Sequence, residues 1–80
     1  MATSIIDLEK DVWKEVSTAS CSFQVVSGHD VLVKEAASLP TGKYNYKVAN
    51  PREMYNFTKK DGNLYAYSDD GPAKIAIDLV

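Results

Sequence analysis

Nucleophilic chemistry needs a base beside a nucleophile, and this chain offers one histidine, His29, and one cysteine, Cys21. Cys21 alternates with Phe23 and Val25 across Ser22 and Gln24, the period of a half-buried strand. That pattern places the thiol in a core, while His29 falls in the turn Ser27-Gly28-His29-Asp30. A Cys21–His29 pair is weighed and set behind a structural thiol. A zinc site needs three or four Cys, His or carboxylate ligands, which this pair cannot supply. Asp61, Asp69 and Asp70 are oxygen donors of the kind calcium takes, but Asp is also a favoured turn residue and the spacing is not that of an EF-hand loop. Gly28, Gly42, Gly62 and Gly71 stand apart, so no phosphate-cradling loop is formed. The sequence therefore points to a non-enzyme, with no catalytic residue, cofactor or metal assigned.

The residues suited to binding are aromatic and basic. Lys43, Tyr44, Tyr46 and Lys47 interleave the two types, and Tyr65 and Tyr67 follow downstream. Such a surface can stack single-stranded nucleic acid or a sugar, or bury tyrosine rings against a protein partner. The plainer reading, that the tyrosine rings cover a sheet face with their hydroxyls at its rim, comes first; a protein interface with these six residues as its candidate contacts comes second, and nucleic acid or sugar third.

Eighty residues with 45% apolar and 25% charged content make one soluble globular domain, spanning 1–80. A chain this short has a thin core. The net charge of -2 implies no general affinity for nucleic acid or an anionic membrane surface. Residues 1–40 carry six acids against three lysines. Residues 41–60 carry Lys43, Lys47, Arg52, Lys59 and Lys60 against Glu53; scattered solvated charge is the first reading of this asymmetry, and attraction between copies the second. One cysteine allows no intrachain disulfide, which suggests a reducing compartment or stabilisation by oligomerisation. No stretch reaches the roughly 20 apolar residues of a membrane span, and the opening residues do not read as a signal peptide.

The elements follow from short runs rich in Val, Ile, Tyr, Phe and Thr, cut by Ser-Gly, Pro-Thr-Gly, Asn-Pro, Asp-Gly and Asp-Asp-Gly-Pro. They predict an all-β fold, a small antiparallel sandwich or barrel of six to seven strands. Residues 1–10 are expected to form an N-terminal arm, with a helical turn near 4–9, because Ser4 resembles an N-cap and Ile5, Leu8, Val12 and Val16 share helical spacing. A strand should begin near Val12. The runs 20–26 and 31–36 should pair as a hairpin, as should 54–58 and 64–68 around Asp61-Gly62, with Gly62 at positive φ. The last run alternates Ile75, Ile77 and Leu79 with Lys74, Ala76 and Asp78.

The segment 12–20, the following Phe23-Gln24-Val25-Val26 and the closing Leu64-Tyr65-Ala66-Tyr67-Ser68 resemble small β-rich virion proteins of tailed bacteriophages. Such proteins decorate capsids or sit at tail and fibre attachment points. The likeness touches about a third of the chain and is one of strand and turn texture rather than a motif. It implies a structural subunit of a phage particle, assembled in the bacterial host cytoplasm and located in the virion. It would act by self-association or by docking on other virion proteins, as a homo-oligomer without a membrane or nucleic-acid partner. The alternative is a small nucleic-acid- or carbohydrate-binding module working through the Lys/Tyr surface.

Overall fold

In a computed structural model, residues 3–43 and 45–79 are described, and eight strands account for most of them. They are β1 (Thr3–Leu8), β2 (Trp13–Ser17), β3 (Cys21–Ser27), β4 (Val31–Ala36), β5 (Lys47–Ala49), β6 (Met54–Phe57), β7 (Asn63–Tyr67) and β8 (Ala73–Leu79). All pair antiparallel, in two four-stranded sheets of order β1-β8-β3-β6 and β2-β7-β4-β5. The fold is an all-β sandwich, as the alternating runs predict, with eight strands among the described residues rather than six or seven, since Thr3–Leu8 adds an edge strand.

The pairing has a simple rule. First pairs with last, second with seventh, third with sixth and fourth with fifth. One long antiparallel hairpin, tipped by the β4–β5 connection, has been rolled so that β8 also meets β3 and β7 also meets β4. This is jelly-roll connectivity. Alternation drives the layering. Cys21, Phe23, Val25, Ile75 and Ile77 of the first sheet face Val31, Val33, Leu64 and Ala66 of the second, and all are buried.

Three expectations are corrected. Residues 4–9 form neither an arm nor a helical turn. Thr3–Leu8 is an edge strand in register with β8, and Leu8 is 2% exposed while Ile5 is 54% exposed. Those two residues lie on opposite sides of a strand, so their helical spacing was coincidental. The 20–26 and 31–36 runs are both strands, but the short connection through His29 carries the chain from one sheet to the other, so no β3–β4 hairpin forms. Nor do β6 and β7 pair, and Gly62 does not hold a positive φ; Gly28 and Gly71 do. Gly62 is required for another reason. A Cβ there would lie 2.4 Å from the Ala36 carbonyl carbon and oxygen.

Candidate functional site

The connection that contains Gly62 is held by Glu35 of β4 and by the β2–β3 connection. The Glu35 carboxylate accepts from the backbone N–H groups of Lys60, Asp61 and Gly62 at 2.8, 2.9 and 3.0 Å. These bonds, led by that from Lys60 and followed by Gly62, hold the Glu35 carboxyl below the ordinary glutamate range. Ser20 accepts from the Lys59 N–H at 2.9 Å, and the Lys59 ammonium donates to the Thr18 carbonyl at 2.9 Å. A segment that reads as a free turn is therefore the clamp between β4, β6 and β7.

The aromatic residues gather on the outer face of the second sheet. Register aligns Trp13, Tyr67, Leu32 and Val48 in one row across four strands, and Glu15, Tyr65 and Lys34 in the next. Trp13, Leu32 and Tyr65 form a second buried cluster with Tyr67 and Ala36 packed against it. It lies on the outside of the sheet and is covered by the chain itself. The β4–β5 connection folds back so that the Trp13 indole N–H donates to the Gly42 carbonyl at 3.2 Å. Residues 39–43 wall a recess of about 480 Å³ with Asp11, Trp13 and Tyr67.

The six candidate contacts divide in this setting. Lys43 and Tyr67 come together. The Lys43 ammonium lies 5.7 Å from the Tyr67 ring centroid, and Trp13 meets the same ring at 5.1 Å with the planes tilted by 49°. Lys43 also reaches Asp69 at 4.0 Å, and the Tyr67 hydroxyl donates to Asp11 at 3.2 Å. Partial burial pushes the Tyr67 phenol up, and the Asp11 carboxylate adds to the shift. Tyr65 is only 5% exposed, with its hydroxyl 3.5 Å from Glu15, so it supports the cluster and is not a contact surface. Tyr46 is exposed just before the edge strand β5. Lys47 stands on that edge and lines a recess of about 360 Å³ with Phe23, Tyr55 and Asn56. Tyr44 lies outside the described residues. Cys21 packs in the core and His29 is exposed, so the two do not share an environment. Burial raises the Cys21 thiol pKa, partly offset by a hydrogen bond from Ser17.

The outer face of the first sheet is a surface the alternating runs did not reveal. Register sets Ile5, Ala76, Gln24 and Met54 in one row across β1, β8, β3 and β6. Ile5 is 54% and Met54 59% exposed, and exposed Val26 lies beyond Gln24 on β3. Polar pairs flank the row. Lys74 meets Asp7 at 3.3 Å on one side, and the Ser22 hydroxyl donates to Asn56 at 2.8 Å on the other. The signal was present only in pairs of residues from distant strands, which no local period exposes. Comparison of the chain with protein-family models, curated proteins and solved structures finds no match.

Proposed function

We infer that this chain is a non-enzymatic structural subunit of a phage particle, acting by self-association or by docking on capsid or tail proteins. One observation carries the reading. The two outer faces are treated differently: on the second sheet the Trp13, Tyr65 and Leu32 part is covered by the chain's own β4–β5 connection and only Val48 of that row stays exposed, while Ile5 and Met54 stand open at the two ends of the first sheet's row. Exposed apolar side chains at both edges of a face, with Gln24 between them and polar pairs around them, suit a protein interface. Jelly-roll connectivity recurs in viral capsid domains and also in lectins, so it supports the reading only by analogy. The alternative module would use Lys43 and Tyr67, but that ring already has Trp13 and Lys43 as neighbours, which leaves little of it for a base or a sugar. Mass spectrometry of tailed-phage particles purified from the source culture tests the inference. The chain should be present in many copies per particle and resist removal by salt washing. Its recovery only among unassembled proteins would refute the role.

A further inference from the structure

Among the described residues the sandwich has four edge strands, and three are defended against pairing with another chain. β2 carries a bulge between Glu15 and Ser17, β5 is three residues long, and β6 is four residues long and follows Pro51 closely. Bulges, shortness and proline are the usual means of blunting an edge. β1 runs six residues, Thr3–Leu8, in unbroken register with β8 and without proline.

Hydrogen-bond parity shows which of its backbone groups are open. The Val25 carbonyl accepts from the Arg52 N–H at 3.1 Å, on the β6 side. Odd-numbered residues of β3 thus turn toward β6, and even-numbered ones toward β8. In an antiparallel ladder this alternation passes from strand to strand. With Gln24 opposite Ala76 and Ala76 opposite Ile5, the odd residues of β1 turn away from β8. A second contact agrees: the Lys14 ammonium reaches the Asp7 carbonyl from β2 at 3.0 Å. The N–H and C=O of Ile5 therefore face the open edge.

We propose that β1 is a homodimerisation strand, pairing antiparallel with β1 of a second copy about a twofold axis at Ile5. The proposal rests on the assembly reading above and names the partner. Register selects this arrangement. With Ile5 opposite Ile5, Ser4 falls opposite Ile6 and Asp7 opposite Thr3, whose N–H meets the Asp7 carbonyl beside or in place of the exposed Lys14 ammonium. Sliding by one hydrogen-bonded step toward Glu9 sets Asp7 against Ile5, and the next step sets Asp7 against Asp7. Only the Ile5-centred register joins apolar to apolar on the outer face and keeps the carboxylates apart. It also makes the two exposed rows one, running from Met54 through Ile5 to the Met54 of the second copy, across an eight-stranded sheet.

Sedimentation of the full chain and disulfide trapping test this together. The native protein should show a concentration-dependent mass approaching twice 8.8 kDa. Ile5→Cys should convert to a covalent dimer under mild oxidation, because paired strand positions lie within the Cα span of a disulfide. Ser4→Cys, which faces Ile6 rather than itself, should give at least tenfold less dimer. Ile5→Pro should be monomeric with an intact β spectrum, because the lost N–H is not used by β8. A native chain that stays monomeric, or equal trapping of Ile5→Cys and Ser4→Cys, overturns the proposal even if Ile5→Pro fails to fold. Particles that contain the chain although Ile5→Cys does not trap would sink the β1 dimer and leave the assembly role standing. Trapping without particle association would do the reverse.

Discussion

Replacing Gly62 with alanine should be among the most damaging single-methyl additions to this protein. The new Cβ would lie 2.4 Å from two backbone atoms of Ala36, where ordinary contact begins at 3.4 Å, so something must move by about 1 Å. The obstacle is the end of β4, which cannot rotate away as a side chain would. Displacing the connection instead would draw the Gly62 N–H away from Glu35. Overpacking of this kind costs about 1–3 kcal/mol. An 80-residue domain has a total stability of about 4–12 kcal/mol, so the loss is a substantial fraction of it. With a urea slope near 1 kcal/mol/M, the unfolding midpoint should fall by about 1–3 M. Gly62→Asn separates the two reasons for a glycine here. At a positive φ, asparagine would do clearly better than alanine; against a backbone wall it should do no better. Midpoints within about 0.2 M of the native value for Gly62→Ala, or clear rescue by asparagine, would refute the steric reasoning.

Three further outcomes are expected. Cys21, 1% exposed, should react with a thiol reagent at least tenfold more slowly in the native protein than in urea, and equal rates would place it outside the core. Glu35 should make stability depend on pH: with its native pKa lowered, its contribution is complete above the ordinary glutamate range and is lost as pH falls through that range toward the lowered value. The gap in urea midpoint between the native chain and Glu35→Gln should therefore be largest near pH 7 and shrink by about pH 3, and a pH-independent gap would contradict the carboxylate clamp. Trp13→Phe, which deletes the bond to Gly42, should cost about 1 kcal/mol in a urea melt and speed hydrogen exchange in residues 39–43; unchanged exchange would mean the connection is held by other contacts.

The alternation of Cys21, Phe23 and Val25, and of Ile75 and Ile77, was legible because each run is long enough to establish a period of two and each inward residue is buried. The run Ile5-Ile6-Asp7-Leu8 was not. Four residues fit either period, and pairing with β8, some 70 residues away, decides for the strand. Turn chemistry located the breaks at Gly28 and Gly62 but could not say whether the chain returned beside itself or crossed to the other sheet. Cys21, Phe23 and Val25 need cover from Val31 and Val33, and a β3–β4 hairpin would leave both sets on one surface. The binding residues failed for a related reason. Tyr65 and Tyr67 share one face, as their spacing implied, but Trp13 and the returning β4–β5 connection cover that face, and neither is visible in the spacing of tyrosines.

The place of β8 between β1 and β3 has a consequence for the order of folding during synthesis. The ribosome delivers residues 73–79 after every other strand, yet without them β1 has no neighbour in its sheet and β3 has only the short β6. The second sheet is less delayed, since β4 and β5 can pair early and β7 then joins β2 to β4. A nascent chain that stops before Ala73 would hold β1 as an unpaired apolar segment with both edges open. Completion of the first sheet is therefore a late event, and the interval before it is when β1 is most exposed to pairing with the wrong strand.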